Sequence, residues 1–426
     1  MREWAIQRRK ERGREIAERF KSRIKKRPDG SWSVPSEKAR RRRYKVGLNP
    51  TEATCTCPDF RDHGGAKCKH IYAVEHVLRG DREDGVAVHS TPPPGPKRPP
   101  RKPTYPRDWP LYNETQTNEE DEFEPLLHAL CQSIRQPEHL MGRRPVPLSD
   151  RVFACITKVY LDKSARLVIP RLNRAYKEGY LTRPIKFGRI TAFLESEAAT
   201  AILHDLIIRS SLPVVPIERV FAIDSTGFVG SRFVRWQDIK YRGSDERDWA
   251  KMHAMCGTET TIITAVVIKE RDAADLHQLE ELLRITAQNF TIREVLCDRI
   301  YNVVKNQKAI AAIGAKGFIP FKSSHTGRRG GIWKEKFIEW NKDLDGSLDH
   351  YHKRSLIEAA FSAMKRKFGD SLNSKTEVAM KNEALCKVLC HNLSCLIALM
   401  YQRRIGVEFL AAIFQRAADD QKDAAD

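Results

Sequence analysis

No stretch of this 426-residue chain comes near the roughly 18 consecutive apolar residues that a bilayer-spanning helix needs. Runs such as Leu396 to Met400 are far shorter, so a membrane anchor is not expected. The first 27 residues lack an apolar core between a basic start and a small-residue cleavage site; they read as charged helix, and export is not expected. Ten cysteines are few for this length and form no dense framework, which points to reduced thiols and metal ligands in a cytoplasmic compartment rather than to disulfides. No internal repeat of fixed period occurs, and no helix-turn-helix can be assigned.

Acid is also scarce relative to base. Lys and Arg total 75 against 55 Asp and Glu, a formal charge of +20. Residues 1–110 hold 28 of those bases and 14 of those acids, hence 14 of the 20 excess charges, an asymmetry that favours a polyanionic partner. With 41% apolar residues, the chain has material for two to four folded units.

Punctuation divides it. Residues 1–27, with Trp4, Ile6, Ile16, Phe20 and Ile24 among many charges, predict one amphipathic basic helix, ended by the turn signal Pro28-Asp29-Gly30. Nine prolines with interleaved Lys and Arg make residues 91–110 an extended basic linker, so an N-terminal region is expected over 1–90. Helical spacing, as in Ile202, Leu203, Leu206 and Ile207, predicts a helical domain over 111–212, a candidate for DNA contact, with Arg166, Arg171, Arg174, Lys177, Arg183, Lys186 and Arg189 as candidate cations. Strand-length apolar runs then alternate with helical stretches: 220–223, 260–268, 275–287, 295–297, 302–313 and 317–321. That alternation predicts an α/β domain over 213–372, a mixed sheet covered by helices, followed by a helical region over 373–426.

Two constellations carry chemistry. Cys55-Thr56-Cys57 precedes Cys68-Lys69-His70 by a short turn-rich spacer; three thiolates and an imidazole suit tetrahedral zinc, and a site with four protein ligands is structural. The pattern Cys-x-Cys, spacer, Cys-x-His over about 44–76 resembles the SWIM zinc finger, with Trp32, Tyr44 and Val46 upstream, Pro58-Asp59-Phe60 after the first pair, and Ile71, Ala73 and Val74 after the histidine. That family implies binding to DNA or protein. His63, inside the spacer, lacks ligand spacing and reads as solvated; His253, Cys256 and His325 read as ordinary residues.

The second begins with two apolar strands that each end in an acid: Val220 to Ile223 delivers Asp224, and Val295 to Cys297 delivers Asp298. A charge there is costly to bury unless something compensates it, and a shared metal would. From about Asp349 to Phe368 the pattern is helical, and at 100° per residue Tyr351, Arg354, Glu358 and Lys365 share a stripe about 60° wide. Leu356, Ile357, Ala360, Phe361 and Met364 fall on a neighbouring face that can dock on the sheet.

Tyr, two residues, Arg, three residues, Glu, six residues, Lys is the third motif of a class of bacterial and archaeal insertion-sequence transposases of the Asp-Asp-Glu type, and the segment 216–370 closely resembles them. The first motif is Phe221-Ala222-Ile223-Asp224-Ser225-Thr226-Gly227-Phe228 and the second Cys297-Asp298-Arg299-Ile300-Tyr301-Asn302. The resemblance implies a ribonuclease-H-like core, with Asp224, Asp298 and Glu358 as catalytic ligands of two Mg²⁺ or Mn²⁺ ions. It implies DNA as partner, at element ends and target, and a homo-oligomer in the synaptic complex. Arg354 and Lys365 would pair with phosphates, Tyr351 would orient a phosphate or pack on sugar or base, and Lys322 is a further phosphate candidate. The expected location is cytoplasmic, at the nucleoid. A domesticated DNA-binding protein without catalysis and a ribonuclease-H-like nuclease are the alternative readings.

Overall fold

The computed structural model describes residues 3–37, 42–49, 53–62, 66–83, 108–138, 141–142, 144–230, 249–270, 275–322 and 324–423. They belong to two units, Met1–Thr104 and Tyr105–Asp426. The expected linker lies mostly outside the described residues, as do His63, Gly64 and Gly65.

In the first unit α1 (Glu3–Phe20) lies against α3 (Lys69–Glu83). The approach is close: a Cβ on Gly13 would sit 2.5 Å from Tyr72 Cβ and 2.9 Å from the Lys69 carbonyl oxygen, so glycine lets the two backbones meet. Strands β1 (Lys25–Lys26), β2 (Trp32–Pro35), β3 (Arg43–Leu48) and β4 (Ala53–Cys55) form an antiparallel sheet in sequence order, and α2 (Pro58–Asp62) follows. The expected single helix over 1–27 is shorter. It stops at Phe20, because Ile24 turns extended (ψ 113°) to bury its side chain. The Pro28-Gly30 signal closes the β1–β2 hairpin instead, with Gly30 at φ 78° and its N–H donating to the Arg27 carbonyl.

The second unit opens with helices α4 (Trp109–Gln132), α5 (Leu148–Tyr160), α6 (Ile169–Lys177), α7 (Phe187–Leu194) and α8 (Glu197–Ser211). A five-stranded sheet follows: β5 (Val220–Val229), β6 (Trp249–Gly257), β7 (Ile263–Glu270), then helix α9 (Leu279–Ala287), β8 (Glu294–Cys297), helix α10 (Val304–Ala312) and β9 (Lys316–Phe318). Its order is β7-β6-β5-β8-β9, the first three antiparallel and β5, β8 and β9 parallel, the ribonuclease-H-like arrangement. Successive residues Phe221, Ala222 and Ile223 are all fully buried; since neighbours on a strand face opposite ways, both sheet faces are covered. Helices α11 (Gly331–Lys342), α12 (Leu344–His352), α13 (Ser355–Phe368), α14 (Glu377–Arg403) and α15 (Val407–Asp423) complete the unit.

Three differences from the sequence reading have physical causes. β6 was not anticipated: Lys251-Met252-His253-Ala254-Met255-Cys256 is poor in β-branched residues, yet it runs between β5 and β7 and is buried almost throughout. The C-terminal helical region is two helices, parted where Arg404 adopts φ 53°. α14 is long and apolar enough to cross a membrane, although no unbroken apolar run betrays it; 78% of its apolar window is buried inside the protein, against α8, α4, α5 and α7. The regions expected as 111–212, 213–372 and 373–426 therefore share one hydrophobic core.

α14 also carries buried charge. Lys158 Nζ lies 3.3 Å from Glu383 Oε1, which also accepts the Asn373 N–H, while Oε2 accepts the N–H groups of Asn373 and Ser374. Burial works against the charged carboxylate, but Lys158 and these donors hold it below the ordinary glutamate range. Its stabilisation is thus fully present above that ordinary range and is lost as pH falls through the lowered value. Glu383→Ala strands Lys158 in the core and should cost about 3–5 kcal/mol, read as a lower urea midpoint; an unchanged midpoint would show that the pair contributes nothing.

Candidate active site and zinc centre

The parallel register sets the site. Ile223 pairs with Cys297, and there the β5–β8 ladder stops, so Asp224 and Asp298 are the next residues of two neighbouring strands, just beyond their last pair. Asp224 does not end its strand, as the sequence suggested: β5 continues to Val229 along β6, with Asp224 opposite Ala254. Each aspartate is fixed by a local bond: Asp224 Oδ1 accepts the Ser225 N–H at 2.8 Å and Asp298 Oδ1 that of Arg299 at 2.7 Å.

The third motif is not on one helix. Tyr351 lies in the last turn of α12, which ends at His352, and α13 begins at Ser355. Across the junction and into the start of α13, Lys353, Arg354, Leu356 and Ile357 each donate to the carbonyl three residues back, a tighter turn than the α-helix, so the uniform 100° stripe does not hold there. The tightening aims two side chains at the aspartates. Arg354 Nη1 lies 2.5 Å from Asp224 Oδ2 and Nη2 2.5 Å from Glu358 Oε1, while the Tyr351 hydroxyl donates to Asp298 Oδ1 at 3.4 Å. Glu358, in the first turn of α13, is exposed, and the helix docks through Ile357, Ala360, Phe361 and Met364.

The electrostatics follow. Burial raises the Asp224 pKa, and Glu358 and Asp298 add to that rise, while the Ser225 N–H and Arg354 oppose it. Burial opposes the Arg354 charge too, but Asp224, Tyr351 and Glu358 lift its pKa above the usual guanidinium value. An open cleft of about 640 Å³ adjoins these groups, lined by Asp224, Ser225, Thr226, Glu358, Phe361, Ser362, Lys365, Arg366 and Asp370. Burial lowers the Lys365 pKa, partly countered by Asp370, and its ammonium lies 5.3 Å from the Phe228 ring centroid. Arg366 and Asp370 went unremarked in the sequence; the cation run Lys365-Arg366-Lys367 on a helix carrying Glu358 was the available signal. Lys322 does not line this cleft. It stands exposed beyond β9, which ends at Phe318 rather than Phe321, with its N–H donating to His325 Nδ1.

Among the basic residues of the helical region, Arg171 pairs with buried Glu124 and Arg166 stacks over Phe187. His253 is fully buried beside Asp275, and burial lowers its pKa to about 4, so it is neutral.

In the first unit Cys55, Cys57, Cys68 and His70 come together from the end of β4, the turn after it and the start of α3. One ligand atom from each lies within 4.8 Å of all the others, and all four residues are buried. His70 Nε2 is buried without a hydrogen-bond partner, and its Nδ1 lies 3.9 Å from Cys68 Sγ. A buried orphan nitrogen beside clustered thiols is what a soft-metal site presents. Asp224 and Glu358 are instead bridged by Arg354, and among the described residues only Cys55, Cys57, Cys68 and His70 gather their ligand atoms closely enough to hold an ion.

Two family models match the chain: a transposase DDE domain over residues 216–393 and a SWIM zinc finger over residues 44–78. No curated relative matches it. One similar solved structure is the cryo-EM structure of the piggyBac transposase synaptic complex with hairpin DNA, with 11% identity and a TM-score of 0.34 over 73% of this chain and 79% of that one.

Proposed function

We propose that this DNA transposase, so assigned by the DDE domain it carries, cuts the ends of a mobile element and joins them to target DNA at the centre formed by Asp224, Asp298 and Glu358. The observation that supports it is that two aspartates on neighbouring strands are linked through Arg354 and Tyr351 to the segment carrying Glu358, with Asp224 and Glu358 lining an open cleft beside Lys365 and Arg366. Their oxygens suit Mg²⁺ or Mn²⁺, and when bound two such ions supply nucleophile activation and stabilisation of the leaving oxygen.

The chain's own residues do the rest. Water attacks the phosphate at an element end, releasing a 3′ hydroxyl that then attacks a target phosphate in line, with the previous ester oxygen leaving at each step. Lys365 and Arg366, on the cleft wall, pair with phosphate oxygens flanking the reacting bond. Tyr351 positions Asp298 through its hydroxyl. Lys322, outside the cleft, is placed to contact DNA only away from the reacting bond. Two ends must be held together, so the working complex contains at least two subunits, acting at the nucleoid. The SWIM module holds one zinc as a structural ion.

Arg354 has two roles. In the free protein it neutralises Asp224 and Glu358; with DNA bound it can turn to phosphate. Arg354→Ala should therefore tighten Mn²⁺ binding to DNA-free protein about tenfold by calorimetry, slow cleavage, and lower the salt slope of DNA binding by about 0.9. Unchanged Mn²⁺ affinity would contradict the first role. The function itself is tested by incubating DNA bearing the element's two ends with protein and Mg²⁺: strand breaks with 3′ hydroxyls at the ends, lost in chelator, are expected, and intact DNA in Mg²⁺ and Mn²⁺ alike would count against it.

A further inference from the structure

The zinc site is closed on itself, so the metal offers nothing outward to a partner, and the recognition surface of the first unit must lie elsewhere. Its cations are unevenly placed. Over much of the unit they face carboxylates: Arg9 pairs with Asp59, Arg14 with Glu18, Lys45 with Asp29, Lys67 with Glu75 and Lys69 with Glu37. Between the end of α1 and the β1–β2 turn the pattern changes. Residues 19–27 contain Arg19, Lys21, Arg23, Lys25, Lys26 and Arg27 and no acid at all, and every one of these six side chains is exposed.

This stretch is built, not loose. Ile24 anchors it in the core, β1 is paired to β2, and the Arg23 carbonyl accepts from the Arg43 guanidinium on β3. Arg19 and Arg23 stand over the Phe20 ring at 5.4 Å and 5.6 Å, which restricts both side chains before any partner arrives. Six exposed cations with no intervening acid, two of them held over Phe20, form a positive ridge.

We infer that this ridge is a DNA-backbone contact surface of the SWIM-bearing unit, binding duplex phosphates without reading sequence. The inference rests on the transposase reading only for its choice of DNA as the polyanion. Backbone neutralisation releases counterions, so each phosphate that a variant leaves unneutralised should reduce the slope of log affinity against log salt by about 0.9. Since sequence is read at base edges, removing the ridge should weaken binding equally on any duplex.

The test uses the full-length protein and a K21Q/K25Q/K26Q/R27Q variant, which leaves Arg19 and Arg23 on Phe20. Affinity for a random-sequence duplex is measured by fluorescence anisotropy between about 50 and 200 mM KCl. An R14Q/K67Q variant, removing cations already paired to carboxylates, is the control. The ridge variant should bind at least tenfold more weakly at about 100 mM salt, with a slope smaller by about 3, while the control stays near wild type and all three retain zinc. Equal affinity and slope in ridge variant and wild type would overturn the assignment, as would equal weakening in ridge variant and control. Metal-dependent cleavage is scored on the same samples. If wild type cuts element ends while the ridge variant binds as well as wild type, the ridge fails and the transposase reading stands; if wild type neither binds nor cuts DNA, both fail.

Discussion

Glu358→Gln protein should fold and bind DNA yet cut element ends slower by several orders of magnitude. The substitution keeps volume and helix propensity, and α13 docks through Ile357, Phe361 and Met364, which it does not touch. Glu358 is exposed and paired to Arg354 four residues earlier, so the fold loses one surface ion pair worth about 0.5 kcal/mol or less. From the sequence alone, removing a carboxylate from an acidic cluster promises a slight gain in stability; Arg354 between Asp224 and Glu358 cancels that repulsion, and a small loss or no change is expected instead. The chemistry differs because a neutral amide is a poor ligand for a hard dication. Asp224→Asn and Asp298→Asn should match the defect, and combining the changes should add little, as for residues acting as a unit. The check is single-turnover cleavage together with thermal melting; wild-type rates from folded Glu358→Gln protein would sink the assignment.

The second large effect belongs to the zinc centre. Cys57 is fully enclosed with Cys55, Cys68 and His70, in a unit whose described core is small: Ile16, Ala17, Ile24, Val34, Val46, Ile71, Ala73 and Val74 around the ligands. So small a core cannot do without its metal, whose binding in comparable modules is worth about 10–16 kcal/mol of apparent free energy at neutral pH. Cys57→Ser should lose the zinc and unfold residues around β3, β4 and α3, seen as lost hydrogen-exchange protection there. Because the two units have separate cores, protection of β5, β8 and α14 should persist. Wild-type protein that is folded and free of zinc by elemental analysis would contradict the account.

What the sequence made legible was whatever local pattern sets. The four zinc ligands are spaced within 16 residues of chain, 55 to 70, and come together as expected. Asp224 and Asp298 follow short apolar runs that are strands, and the register places them just beyond the last β5–β8 pair. Illegible features depended on tertiary context. β6 has little strand propensity and is held as a strand by its two neighbours. The break before Ser355 leaves no proline or glycine in the sequence; it exists because Tyr351 and Arg354 reach across to different aspartates, and periodicity cannot see a partner on another strand. The membrane-length hydropathy of α14 is dispersed among Asn382, Glu383, Lys387 and Asn392, each of which finds a buried partner in the fold. Roles for single cations in the helical region were equally hidden, since Arg171 is claimed by Glu124, a residue 47 positions earlier.

The central claim is that one carboxylate centre both cuts and joins DNA, and strand transfer tests it most directly. Pre-cut element ends carrying a labelled 3′ hydroxyl are mixed with a plasmid target, Mg²⁺ and either wild-type protein or the Asp224→Asn, Asp298→Asn and Glu358→Gln variants. The account predicts covalent joining of the label to the plasmid by wild type, abolished by chelator and by each variant. Wild-type protein that binds the ends but joins none, or any of the three variants joining at the wild-type rate, would contradict it.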